Sequence, residues 1–223
     1  MELHRPKTLT SAVVDYIREA VLRNEFPPGH QLRELHLSQS LSTSRGTVRE
    51  ALRVLHEDGL VKIVPHHGAV VAELSPKRVS EIFDLRALLE GHAVELALSQ
   101  GLVNDEAVEA MRAAYDQMAE IAGGGDHFAT VEADMAFHRR MAGYSGHELL
   151  LEQLDTLRLQ TRQAILYTKL YKSDLEGEAE SHAPILDAFV AGDSAKAAEA
   201  VRVHITVAGE RLLARMREGG PDG

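Results

Sequence analysis

Residues 43–61 constrain the fold more than any other stretch. They read Thr-Ser-Arg-Gly-Thr-Val-Arg-Glu-Ala-Leu-Arg-Val-Leu-His-Glu-Asp-Gly-Leu-Val. Val48, Ala51, Leu52 and Leu55 recur at helical spacing and make one apolar stripe. Arg45, Arg49 and Arg53 step along a neighbouring face at i, i+4 and i+8. One side of such a helix buries in a small core while the other meets phosphates and base edges. Those are the requirements of a helix that enters the DNA major groove. Leu41-Ser42-Thr43-Ser44 forms a tight turn whose hydroxyls cap the helix, and Gly59 ends it at the C′ position.

The flanking segments complete a small domain. Leu9 to Arg23 is periodic, with Thr10 or Ser11 as N-cap, and Pro27-Pro28-Gly29 stops it. Leu32 to Leu41 reads as a short second helix. Leu60 to Val64 and Ala69 to Ala72 read as valine-rich strands joined at Pro65-His66-His67-Gly68. Three helices and a hairpin predict a winged helix-turn-helix over residues 1–74. Beyond Glu73-Leu74-Ser75-Pro76 every segment reads as helix, approximately Pro76 to Gln100, Asn104 to Ala122, Asp126 to Ala142, His147 to Lys169, Asp174 to Ala191 and Asp193 to Arg217. Glycines mark several of the breaks, and Asn104, Asp126, Asp174 and Asp193 stand at N-cap positions. The fold expected is mainly α, with an antiparallel helical bundle over 75–218.

Charge has to be read by halves. The chain carries a formal net charge of -10, which argues against a DNA partner until it is divided. Residues 1–74 hold 9 basic and 9 acidic residues, so the whole acidic surplus lies in the bundle. The cations of the first half must therefore be concentrated on one face, as the Arg45 series implies. With no cysteine, disulfides and thiolate metal sites are excluded. Aromatic residues make up only 4% and tryptophan is absent, which disfavours a base-stacking platform for single strands. No apolar run is long enough for a membrane span, so a cytoplasmic protein is expected.

The partner expected is a double-stranded operator. Arg45 lies in the first turn of the expected reading helix, where side chains point at base edges. Arg49 reaches a base or a phosphate, while Ser44 and Thr47 are sized for phosphate oxygens. Arg53 suits either a DNA contact or an ordinary solvated ion pair. His66, His67 and Gly68 at the hairpin tip suit a minor groove.

Residues 41–61 resemble the DNA-binding segment of GntR-type bacterial transcription regulators. The second half looks like the FCD ligand-binding domain of their FadR subfamily. Six expected helices make it more like the VanR-type variant than the seven-helix one. The resemblance runs from about Leu9 to Arg217. It implies a homodimer responsive to a small organic acid. Gly46 stands where many relatives carry a larger residue, so no operator sequence carries over.

Asp134-Met-Ala-Phe-His138 places a carboxylate and an imidazole at i, i+4, while His182 and His204 sit among apolar residues further on. One oxygen and three imidazoles suit a borderline divalent ion, yet each histidine alone also suits a hydrogen-bonded core position. The resemblance implies metal, because metal-binding FCD domains use an Asp-x3-His pair and two later histidines. Asp134, His138, His182 and His204 fill all four positions. Zinc, nickel or manganese is expected, with an open coordination position for an effector oxygen. Arg86, in Asp-Leu-Arg-Ala-Leu-Leu-Glu-Gly-His-Ala, either clamps the effector's carboxylate or pairs with Glu90. His92 and Tyr167 are further candidates for the pocket. No catalytic dyad is legible, so an enzyme is not expected. A metal-dependent enzyme carrying a helix-turn-helix, or a regulator that binds its ligand without metal, are the alternatives.

Overall fold

The computed structural model describes residues 8–64, 68–167 and 175–218. The chain divides into two compact units at the Leu74/Ser75 boundary.

The first unit is built from α1 (Leu9–Leu22), β1 (Gln31–Leu32), α2 (Glu34–Ser40), α3 (Arg45–Glu57), β2 (Val61–Val64) and β3 (Gly68–Val71). Thr8, not Thr10 or Ser11, caps α1, accepting from the Ser11 backbone N–H. The helix starts earlier than expected, which leaves those two residues inside its first turn. Val48, Ala51, Leu52 and Leu55 of α3 are all buried, as their spacing requires. Gly59 adopts φ 77°, and the Leu60 N–H returns to the Leu55 carbonyl to close the helix. The sheet has a third strand that the periodicity missed: β1 pairs antiparallel with β3, which pairs with β2, in the order β1-β3-β2. Two residues are too few to show alternation, so Leu32 reads as helix in the sequence while its backbone is held by Ala69 of β3. His66 and His67 lie outside the described residues.

The second unit contains α4 (Pro76–Ser99), α5 (Asp105–Gly123), α6 (His127–Gly143), α7 (Glu148–Tyr167), α8 (Leu175–Glu180), α9 (Ala183–Val190) and α10 (Ser194–Glu218). Asn104 and Asp126 cap α5 and α6, and the Asp193 carboxylate accepts from the Lys196 N–H at the start of α10. Asp174 lies outside the described residues. The single helix expected over Asp174 to Ala191 is two, so the six helices read from the sequence become seven among the described residues. Pro184 gives the reason. It has no N–H for an upstream carbonyl and is tolerated only in the first turn, where it stands in α9. The break leaves His182 at the corner, fully buried, as the residue that opens α9. α4 packs along α10 and also meets α6 and α7. Asp134 and His138 of α6 and Arg86 and Glu90 of α4 are thereby drawn into the interior.

Candidate functional site

Two sites emerge, one in each unit. On α3, Ser44 is the N-cap. Its Oγ accepts from the Thr47 N–H at 3.1 Å and lies 2.9 Å from the Thr47 hydroxyl. Both hydroxyls are thus tied to the helix start, at its electropositive end. The side chains of Arg45, Arg49 and Arg53 are each 61% exposed. Arg53 pairs with Glu50 at 3.4 Å on its own helix. Arg49 meets a carboxylate that sequence reasoning missed. Its Nε and Nη2 donate to Glu34 Oε1 and Oε2 of α2 at 2.9 and 2.8 Å. Arg45 approaches the same carboxylate at 3.6 Å. The Arg49 fork, chiefly by its hydrogen bonds, holds the Glu34 carboxyl below its ordinary range. Gly68 opens β3, exposed and at φ 81°.

In the bundle, Asp134, His138, His182 and His204 each offer one ligand atom, all within 4.8 Å of one another. His182 Nε2 lies 2.9 Å from Asp134 Oδ1 and 3.2 Å from His138 Nε2, and His138 Nε2 is 3.7 Å from that same oxygen. Ligand atoms about 2.1 Å from a shared ion stand about 3.0 Å apart at adjacent octahedral positions and about 3.4 Å apart in a tetrahedron. The separations of 2.9 and 3.2 Å fall close to that range, and the 3.7 Å one is somewhat wider.

The surroundings fix the ring tautomers. His182 Nδ1 donates to the Glu178 carbonyl at 2.9 Å. The Ser181 hydroxyl gives its own proton to Glu178 O at 2.6 Å, so it accepts from His204 Nδ1, 3.3 Å away. His138 Nδ1 is 2.7 Å from Glu90 Oε2. That approach is tilted rather than a straight hydrogen bond, and neither atom has another partner. With Nδ1 protonated in all three rings, Nε2 carries the lone pair in each. Two such lone pairs and a carboxylate oxygen then face one another with no donor between them. A cation has to sit there, either a proton or a metal ion. The donor set therefore fits a borderline divalent metal.

In the metal-free site that cation is a proton on His182, held by Asp134. Burial pushes the Asp134 carboxyl up, but the hydrogen bond from His182 and the charges of His138, His182 and Arg86 outweigh it and hold it well below the usual carboxylate range. Burial likewise pushes Glu90 up, and Arg86 and His138 overcome it, leaving its pKa at about 2. His204 is driven down to about 2 by burial and by the neighbouring His182 and His138. His182 moves up, because Asp134 more than offsets its own desolvation.

Arg86 donates from Nε to Glu90 Oε1 at 2.9 Å, with both side chains buried. Both also line a cavity with Met135, His138, Arg139, Leu154, Asp155 and Arg158. The pairing expected of Arg86 and its placement beside His138 of the Asp/His cluster thus coexist. His92 is exposed and is not among the lining residues, because it falls on the opposite side of α4 from Arg86 and Glu90. The Tyr167 side chain lies outside the described residues. Glu90 and Arg158 were missed. Glu90 was legible only as a salt-bridge partner four residues from Arg86, and Arg158 comes from α7, far off in sequence. The Arg158 Nε is buried without a hydrogen-bond partner.

A winged helix-turn-helix followed by a helical bundle is the architecture of a class of bacterial transcription regulators. Residues 9–71 match the gntR family of bacterial regulatory proteins, and residues 81–207 match the FCD domain. The chain is 33% identical over 198 residues to a probable D-xylose utilization operon transcriptional repressor of Paenarthrobacter nicotinovorans, covering 89% of this chain and 86% of that one. It is 29% identical over 197 residues to the HTH-type transcriptional repressor GlaR of Escherichia coli K12, covering 85% and 89%. Among solved structures it resembles E. coli McbR/YncC, with TM-score 0.79, 20% identity and coverage of 94% of this chain and 99% of that one. A regulator from Rhodococcus sp. RHA1 gives TM-score 0.78, 23% identity and coverage of 92% and 97%. The chain belongs to the GntR family and carries its FCD domain; it is a transcriptional regulator of that type. Among the described residues no helix is long and apolar enough to cross a membrane.

Proposed function

We propose that this regulator binds a divalent metal through Asp134, His138, His182 and His204, and that a small carboxylate effector bound beside it modulates operator binding. The observation that carries the reading is the convergence of Asp134 and three histidines, whose ligand atoms all lie within 4.8 Å of one another, next to a cavity lined by Arg86 and Arg158. The metal, as a Lewis acid, would take an effector oxygen at an open position. Arg86 would hold the effector's carboxylate, and the unpartnered Arg158 Nε supplies a second donor toward the same cavity. Residues 75–218 are thus the metal-binding, effector-binding and dimerisation domain. The repressors among its relatives support repression as the output.

Ser44, Arg45, Thr47, Arg49, Arg53 and the hairpin tip at His66, His67 and Gly68 form the DNA-contacting surface. A homodimer presents two such helices to successive major grooves of a pseudo-palindromic operator in the cytoplasm. Leu85 and Leu88 of α4 and Val203 and Val207 of α10 are exposed, apolar surface that a second copy would cover. The effector acts by binding the DNA-competent and DNA-incompetent states unequally.

Protein purified without a histidine tag should contain close to one equivalent of divalent metal by elemental analysis. Short-chain carboxylates should raise its melting temperature and change its affinity for genomic fragments it has selected. A second reading has its own support. The buried His182–Asp134 pair at 2.9 Å is self-sufficient if His182 is protonated, which describes a metal-free regulator. Absence of metal from protein that still answers to carboxylates would decide for it.

A further inference from the structure

The carboxylate of Glu34 occupies an unexpected place, between the two arginines that have most reason to meet DNA. An exposed ion pair is worth little to stability, so a contribution to folding does not explain it. Its geometry suggests another use. A guanidinium has five N–H donors in a planar fork. Glu34 takes the side-on edge of Arg49, Nε–H and one Nη2–H, at 2.9 and 2.8 Å. The end-on edge remains, formed by the other Nη2–H and the Nη1 hydrogens. That edge presents two parallel donors, the pattern that matches O6 and N7 of guanine in the major groove. An unrestrained arginine loses much rotamer freedom when it is fixed on a base. Anchored on Glu34, its fork is already aimed. Being ionised, Glu34 also offsets local positive charge and repels phosphate, which weakens binding to any backbone regardless of sequence.

We infer that Glu34 is a positioning residue for DNA readout, which makes Arg49 a reader of a guanine edge rather than a counter-ion for phosphate. The inference rests on the proposed entry of α3 into the major groove. Its effect is on discrimination. Glu34 lowers affinity for duplexes in general and spares the one with a guanine in register.

The test compares wild type, Glu34→Gln, Arg49→Lys, Arg49→Ala and the Glu34→Gln/Arg49→Lys double variant. The probes are a duplex selected by the wild-type chain from a randomised library and a scrambled duplex of the same composition. Affinity is measured for both across a range of salt. Glu34→Gln should tighten binding to the scrambled duplex severalfold, and the salt slope should steepen by about one as Arg49 turns to phosphate. Binding to the selected duplex should not improve, so the ratio of the two affinities should fall about tenfold. Arg49→Lys should lower the ratio similarly, since an ammonium has no fork. Adding Glu34→Gln to it should cost little more, because both changes remove the same interaction. Thermal melts confirm that each variant is folded, and Arg49→Lys keeps the test open if Glu34→Gln is not.

An equal gain on both duplexes, with the ratio unchanged, would mean that Glu34 merely screens charge and would overturn the inference. Additive losses in the double variant would overturn it too. If Arg49→Ala lowers selective binding while Glu34→Gln leaves the ratio intact, α3 remains the reading helix and only the role of Glu34 fails. If Arg49→Ala leaves selective binding untouched, the placement of Arg49 at a base fails, and the inference with it.

Discussion

Glu90 Oε2 lies 2.7 Å from His138 Nδ1, with both side chains buried. The other oxygen of this carboxylate accepts from Arg86. One acidic residue thus touches both an imidazole of the proposed metal site and the arginine proposed to hold the effector. A carboxylate behind a ligating histidine fixes its tautomer and raises its basicity, and losing such a partner typically costs 10–100-fold in metal affinity. Glu90→Gln should show a loss of that order in competition with a chromophoric chelator. Unchanged affinity would mean that His138 is oriented by something else.

Metal removal tests the cluster as a whole. A ligand that binds only the folded state adds stability by mass action, about 4 kcal/mol at a thousand times its dissociation constant. Chelation should therefore lower the melting temperature, and added zinc, nickel or manganese should restore it. His204→Ala should abolish both metal retention and the response to chelator. A response that survives the substitution would remove His204 from the donor set.

These features differ in how far the sequence discloses them. The α3 stripe and its Ser44 cap are local, and a period of 3.6 residues writes them directly into residues 44–57. The Asp134/His138 pair is likewise one helical turn. His182 is different. Its position depends on the break before Pro184, and apolar periodicity runs across that break unchanged, so the two helices read as one. Strand β1 is shorter than any period. Glu34 and Arg158 acquire their roles only from elements packed against their own, and Glu90, marked within α4 only as a partner for Arg86, meets His138 only through the packing of α6. What the sequence conceals is therefore tertiary: which carboxylate stands behind which cation.

Arg86 and Arg158 should respond differently to substitution. Arg86 is buried against Glu90, and removing one member of a buried pair costs about 3–5 kcal/mol. Arg86→Ala should melt early for that reason alone. Arg158 has a buried Nε with no hydrogen-bond partner. Arg158→Gln should keep the wild-type melting temperature yet lose most of the stabilisation that short-chain mono- and dicarboxylates give. Full retention of that stabilisation would place the effector elsewhere.

The metal-free protein should be sensitive to acid, in a direction that the shifts define. His204 falls from 6.5 to about 2 on folding, so the unfolded chain binds the extra proton between those values. Stability is present above pH 6.5 and is lost as pH falls through that window. Glu90, lowered from 4.5 to about 2, adds a loss of the same sign below pH 4.5. His182 acts oppositely. Its raised pKa contributes stability that is complete below 6.5 and is lost as pH rises through the folded value. Urea midpoints of chelated protein should drop between pH 6.5 and 5, and His204→Gln should flatten that part of the curve. An unchanged curve would show that His204 is not held neutral by its surroundings.

Arg45 offers the most direct check on the first unit. It is the first residue of α3, largely exposed, and lies 3.6 Å from the carboxylate of Glu34. A loose pair leaves its whole fork available, whereas Glu34 takes one edge of the Arg49 fork. A good bidentate contact to guanine discriminates by about 1–3 kcal/mol, roughly a 5- to 150-fold change in affinity. Arg45→Ala should therefore weaken binding to a selected duplex within that range. The scrambled duplex should lose far less, because one phosphate contact among several is at stake. Equal losses on both duplexes would assign Arg45 to the backbone and leave base reading to Arg49 and the rest of the α3 face.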